Sequence, residues 1–253
     1  MWKNHLIKAA LVVAFLMAPH TARSEDATIA VATNFLEPAQ EIAAKFEDTT
    51  DHKIVLSAGS TGQLFAKITN GAPFDAFLSA DQIRPNQLVA QGLADEKSQF
   101  TYAIGILTLY SPDPDRAIGP VVLAQPIQAL SIANPRTAPY GRAAEQVLRR
   151  LGSREILKAR TAEAQNVSGA FAAVKSGAAD LGFVALSSVL SKQNDQPGSR
   201  WDPPQDLYDP LYQDAILLAR GRNNDAAIAF LAYLKSEEIV ELITSFGYRQ
   251  VDP

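Results

Sequence analysis

The chain has 253 residues, contains no Cys and carries a formal net charge of −4. A disulfide framework and a lipid-bearing Cys are therefore excluded, stability has to come from packed cores, and nucleic acid and anionic membrane surfaces are poor partners. The histidines are His5, His20 and His52, an inventory that excludes zinc sites rich in His or Cys.

The first 24 residues read as an export signal. Lys3 and Lys8 precede the apolar run Ala9 to Ala18, and the small-residue exit Ala22-Arg23-Ser24 places cleavage after Ser24. That run is far below the ~20 residues needed to span a bilayer, and no later stretch approaches such a length, so a soluble mature protein is expected. Cleavage removes Lys3, Lys8 and Arg23 and takes the charge from −4 to −7. One imidazole survives, His52, within the turn-like Asp48-Thr49-Thr50-Asp51-His52-Lys53, and any Ser/His/Asp triad would have to run through it. Neither Asp113-Pro114-Asp115 nor Asn223-Asn224-Asp225 is followed by the Gly and Glu of a calcium loop, so no metal-cation site is expected.

Short apolar runs alternate with helical patterns, which points to an α/β architecture with mainly parallel sheets. Thr28 to Ala32 reads as a strand, followed by a helix from Glu37 to Phe46 with Ala39, Ile42, Ala43 and Phe46 on one face. Ile54 to Leu56 repeats the unit, leading through Ser57-Ala58-Gly59-Ser60-Thr61-Gly62 into a helix from Gln63 to Thr69. Asn70-Gly71-Ala72-Pro73 breaks that helix, Phe74 to Ala80 reads as a third strand ending near Asp81, and a helix over Ile83 to Gln91 follows. Tyr102 to Tyr110 predicts one long buried strand, taken as the first crossing between lobes. Further strands are expected at Ala129 to Ala133 and Leu181 to Ala185, with helices near 141–151 and 168–176. Pro197 to Pro204 is the strongest loop signal, after which Ala215 to Ala219 returns as a strand and two helices close the chain. Two crossings imply a discontinuous first lobe, residues 25–104 with 206–253, around a second lobe, residues 105–205.

Ligands of open α/β sheets sit at the carboxyl ends of strands. Four loops there carry small hydroxyl or amide residues: Thr33-Asn34, Ser60-Thr61-Gly62, Pro139-Tyr140-Gly141 and Asn166-Val167-Ser168-Gly169. Helix N-termini leave N–H groups unpaired and carry roughly +0.5 of an elementary charge, so several aimed at one point hold an anion without Lys or Arg. The hydroxyls of Ser60, Thr61 and Tyr140 and the amide of Asn34 would add donors. The same residues are also ordinary caps and turns, and Tyr140 beside Pro139 and Gly141 is equally an ordinary packing residue. Asp75 and Asp81 read as strand ends or helix caps, with the wrong charge for an anion. Gly59-Ser60-Thr61-Gly62 matches neither a hydrolase nucleophile elbow nor a phosphate loop.

Taken together, Ala32-Thr33-Asn34-Phe35, Ser57 to Gly62, Asn70-Gly71-Ala72-Pro73-Phe74-Asp75, Leu78-Ser79-Ala80-Asp81, Asn134-Pro135 with Pro139-Tyr140-Gly141, and Ala179-Asp180-Leu181-Gly182-Phe183-Val184 resemble the periplasmic molybdate-binding proteins of ABC-type importers. The resemblance runs from Ala30 to Gly247. It implies a two-lobed periplasmic-binding-protein (Venus-flytrap) fold that closes on a tetrahedral oxyanion, molybdate or tungstate, and docks on a membrane permease. It also implies a periplasmic location, a monomer, no cofactor and no catalysis. Carried over position by position, Thr33 and Asn34 would contact the anion from the first loop, Ser60 or Thr61 from the second, Tyr140 from the third and the Val167 backbone from the fourth. The sequence departs from the enteric form at Asn34, where that form has Ser, and at Ala185, where it has an anion-binding Tyr; Tyr140 is expected to supply that phenol. Sulfate or phosphate is the alternative solute. A secreted hydrolase using Ser60, or an adhesion protein, are the alternatives from other classes.

Overall fold

The computed structural model describes residues 25–250 apart from Pro126 and Pro197; the expected export signal lies outside the described residues. In chain order the elements are β1 (Asp26–Ala32), α1 (Leu36–Thr49), β2 (Lys53–Gly59), α2 (Thr61–Thr69), β3 (Ala76–Leu78), α3 (Ile83–Ala90), β4 (Phe100–Gly105) and β5 (Leu107–Ser111). There follow β6 (Leu130–Ala133), α4 (Pro139–Arg150), α5 (Arg154–Leu157), β7 (Thr161–Ala164), α6 (Val167–Lys175), β8 (Leu181–Ala185), α7 (Leu186–Val189), β9 (Ser199–Trp201), β10 (Leu211–Leu217), α8 (Asp225–Tyr233) and α9 (Glu237–Ser245). A 3-10 turn, Thr33–Phe35, joins β1 to α1.

The strands form two five-stranded sheets, ordered β2-β1-β3-β10-β4 and β7-β6-β8-β5-β9, one in each lobe. Period-two alternation gives each sheet two buried faces. In β1, Ala27, Ile29 and Val31 join a core with Phe35, Ile42, Phe46 and Phe230, while Ala30 turns to Leu64, Phe77, Leu88 and Ile216. In the second sheet Leu107, Leu109, Leu181 and Phe183 share one core, and Tyr110 and Val184 pack on the other side with Ala170 and Val174.

Five expectations are corrected. The long strand Tyr102 to Tyr110 is two strands in different sheets, broken at Ile106, where the chain changes partner from β10 to β8. The sheets are mixed rather than mainly parallel: β1, β2 and β3 run parallel, as do β6, β7 and β8, but β10 pairs antiparallel with β3 and β4, and β5 antiparallel with β8 and β9. Chain that crosses directly from one lobe to the other enters without a βαβ turn, so the crossing strands are free to pair antiparallel. Within the expected loop 197–204, Ser199–Trp201 forms the edge strand β9 on β5. Finally, β10 begins at Leu211, four residues before Ala215, and the third strand is shortened to Ala76–Leu78. Asp75, just before that strand, donates its N–H to the Thr28 carbonyl at 2.8 Å, while its carboxylate accepts from the Thr28 N–H at 2.8 Å and pairs with Arg220 at 3.1 Å.

The lobes are closed on each other. One apolar cluster contains Ala32 and Ala80 of the first lobe together with Ala133, Ala138, Tyr140 and Val167 of the second. The Gly62 N–H donates to the Thr137 carbonyl across the cleft at 2.8 Å. A Cβ at Gly62 would lie 2.9 Å from that carbonyl oxygen, so glycine is required for this approach. Among the described residues no helix is long and apolar enough to cross a membrane.

Phe183 has no solvent exposure and sits mid-sheet in the second lobe. Phe183→Ala is expected to cost about 3–5 kcal/mol of unfolding free energy, measured by denaturant titration.

Candidate functional site

Every strand–helix turn named in the sequence delivers its residues to one place. Thr33 and Asn34 follow β1, Ser60 and Thr61 follow β2, Tyr140 opens α4 after β6, and Val167 opens α6 after β7; all six line a single cavity of about 10 Å³ between the lobes, with Ala32, Ala80, Ala138, Pro139 and Asn166. Pockets for organic ligands run ~300–1,000 Å³, whereas this closed cavity leaves room on the scale of about one water, far too little for a sugar, amino acid or peptide. Its lining contains no carboxylate, Lys, Arg or His.

Local chemistry explains why each turn points its donors inward. Ser60 caps α2 in a reciprocal box: its hydroxyl oxygen accepts from the Gln63 N–H at 3.4 Å, and its own N–H donates to Gln63 Oε1 at 3.2 Å. The Thr61 hydroxyl oxygen accepts from the Ala80 N–H at 3.1 Å, pinning α2 to the end of β3. Both hydroxyls are thus engaged as acceptors, which leaves their protons to donate. Asn166 caps α6 by accepting from the Gly169 N–H at 2.9 Å. Pro139 occupies the first position of α4, where no N–H is needed. The N–H groups of Thr61, Tyr140 and Val167 stand in the first turns of their helices, where the helix itself offers no acceptor.

The sequence brought these six residues together but missed what holds them. Asn34 is buried, and its Nδ2 donates to Gln213 Oε1 at 2.8 Å and to the Tyr248 hydroxyl at 3.1 Å. The side-chain amide expected as a ligand donor is therefore committed to the protein, and the donor left to Asn34 is its main-chain N–H. Gln213 also accepts from the Tyr102 hydroxyl at 3.1 Å and donates through Nε2 to the Tyr140 oxygen at 3.2 Å. Tyr248 and Ser187 both donate to the Asn34 carbonyl, at 2.7 and 3.0 Å. The available signal for Gln213 was a polar Gln-Asp pair just before the apolar run Ala215 to Leu218. Ala185 is fully buried at the end of β8.

Asp81 is a cap and a cross-lobe ion pair. Its carboxylate accepts from the Arg84 N–H at 3.1 Å and binds the Arg84 guanidinium, and Arg142 of the other lobe reaches it at 3.0 Å. His52 cannot serve Ser60: one precedes and the other follows the seven-residue β2, a separation of roughly 26 Å at strand rise. The His52 Nδ1 instead accepts from the Glu25 N–H, and its ring stacks on Phe46. Among the described residues no group of three or more His, Cys, Asp or Glu is placed to hold a metal ion.

Residues 27–249 match the family model described as bacterial extracellular solute-binding protein. The chain belongs to that family. Members of the bacterial extracellular solute-binding protein family similar to it include the molybdate-binding protein ModA of Azotobacter vinelandii, 44% identical over 229 residues that cover 90% of this chain and 91% of that one. The molybdate-binding protein ModA of Rhodobacter capsulatus is 43% identical, covering 90% and 89%. The solved structure of the Azotobacter vinelandii periplasmic molybdate-binding protein superimposes with a TM-score of 0.86 at 40% identity, covering 89% of this chain and all of that one. These relatives are named as binding proteins, and the cavity lining around Ser60 contains no His, Asp or Glu.

Burial pushes the Tyr140 phenol of this solute-binding protein well above the ordinary tyrosine range, with the Tyr248 and Tyr102 phenols adding to the shift. Burial raises Tyr102 and Tyr248 in the same direction. Tyr140 therefore keeps its proton and remains a donor at neutral pH. Phenols ionise near pH ~10 in the unfolded chain and later in the folded one, so stability is whole below that pH and falls as pH rises above it. Thermal unfolding followed from pH 8 to 11 is expected to show the midpoint dropping beyond pH ~10, with a smaller drop in Tyr248→Phe.

Proposed function

We propose that this protein is exported to the periplasm, captures molybdate, and also tungstate, between its lobes, and delivers the ion to the permease of an ABC transporter. The observation that carries the reading is the small, uncharged cavity ringed by helix first turns and hydroxyls from both lobes, in a chain 44% identical to a molybdate-binding protein. The ion would be held by Ser60 and Tyr140 through their hydroxyls, by Thr33, Asn34 and Val167 through the starts of their helical turns, and by Thr61 through its N–H or its hydroxyl. Fixed dipoles that exclude water replace the ion's hydration without a counter-charge, so binding is tight and release remains possible. Tungstate, nearly the same size and shape, meets the same donors.

The working unit on this reading is a monomer with lobes 25–104 plus 206–253 and 105–205, turning about the crossings near Ile106 and between β9 and β10. No bond is made or broken, and no cofactor takes part.

Calorimetric titration of the mature chain with molybdate, tungstate, sulfate and phosphate tests this. One-to-one binding of the first two alone is expected, with Tyr140→Phe weakening it roughly tenfold or more, the value of a hydrogen bond to a charged group. Binding confined to sulfate or phosphate would move the substrate and keep the fold. Solution scattering is expected to show compaction on adding molybdate.

A further inference from the structure

We propose that Gln213 is a positioning residue of the oxyanion site, setting the Tyr140 hydroxyl as a donor to the ligand across the closed cleft. This rests on the oxyanion reading above and concerns a residue outside the cavity lining. Gln213 is fully buried on β10, at a bulge between Gln213 and Asp214 where the register with β4 shifts. A bulge re-aims the side chains beside it. Here Asp214 turns to Gln99 and Thr101, at 2.7 and 2.6 Å, while Gln213 turns to the cleft.

The direction of each hydrogen bond follows from proton counting. The Tyr248 hydroxyl has one proton, and its shortest contact gives that proton to the Asn34 carbonyl at 2.7 Å. Its oxygen is then an acceptor, which fixes the nearby group of Asn34 as Nδ2. The other N–H of Nδ2 goes to Gln213 at 2.8 Å, so that atom of Gln213 is Oε1, and it accepts from Tyr102 as well. The remaining end of the Gln213 amide is Nε2, and it donates to Tyr140. A phenol oxygen occupied as an acceptor sends its proton elsewhere, and the cavity is the other thing Tyr140 faces.

Two features reserve space for this bond. A Cβ at Gly105 would fall inside van der Waals contact with both the Tyr140 hydroxyl and Gln213 Nε2. Gly105 also ends β4, one residue before the crossing. The bond joins β10 of the first lobe to α4 of the second, and so ties the lobes together in the closed arrangement. Gln213 thereby ties the loop carrying Asn34 to the phenol that completes the site from the other lobe.

A double-substitution cycle on the mature protein, read as molybdate affinity by calorimetry, tests the proposal. Gln213→Met and Tyr140→Phe are each expected to weaken binding roughly tenfold or more. Combining them is expected to add less than about threefold to the loss from Tyr140→Phe alone, because both remove the same donor. Losses that multiply would mean that Gln213 acts only as packing, and would overturn the proposal. Gln213→Asn keeps an amide in the buried slot but is too short to serve Asn34 and Tyr140 together. It carries the same cycle should Gln213→Met fail to unfold cooperatively, with non-additive loss expected and multiplicative loss overturning. A wild-type chain that binds neither molybdate nor tungstate would remove the functional reading and this proposal together, a result distinct from a binding wild type with multiplying losses.

Discussion

The first turn of a helix has N–H groups that the helix itself cannot satisfy, and this fold collects several such turns around a single enclosed point. That constraint organises the rest. Strands that end side by side place the turns after β1 and β2 together in one lobe and those after β6 and β7 together in the other. Closure then sets the two groups face to face. The capping residues Ser60 and Asn166 satisfy the N–H groups at the third position of their helices, Gln63 and Gly169, and leave those of Thr61 and Val167 at the first position without a helix acceptor beside the cavity. Ala32, Ala80, Tyr140 and Val167 beside them belong to one buried apolar cluster.

A site made of dipoles alone depends on their orientation, since no full charge is present to tolerate misplacement. The polar network behind the cavity supplies that orientation. Asn34, Tyr102, Gln213, Tyr248 and Ser187 satisfy one another away from solvent. An unmet partner in such a network would cost about 1–3 kcal/mol, so each member restricts the others to one arrangement. The ion pairs that do occur, such as Asp81 with Arg84 and Arg142, lie outside the cavity lining and hold the lobes rather than a ligand.

The cavity residues were legible because their signal is local. Ser60 followed by Gln63, Pro139 at a helix start and Asn166 followed by Gly169 are capping patterns within four residues, and the strands before them show as apolar runs. Gln213 and Tyr248 were not legible, because each meets Asn34 from 179 and 214 residues away, and periodicity carries no information at that distance. The break at Ile106 was hidden for a related reason. Tyr102 to Tyr110 is apolar throughout because both halves are buried, yet in different sheets, and continuous hydrophobicity cannot mark a change of partner. The edge strand β9 was masked by its flanking Pro and Gly residues, which signal turns regardless of what lies between them.

Strand β10 lies between β3 and β4, so the sheet built from the earliest part of the chain stays open until residue 217 exists. The second sheet, by contrast, has all its strands by Trp201. A chain synthesised from its N-terminus therefore holds the first lobe unfinished through most of translation, and the long-range pairing that completes it is of the slow-forming kind. The lobe whose chain is made first is thus the last to be completed, and its closure waits on a single strand from the far end of the sequence.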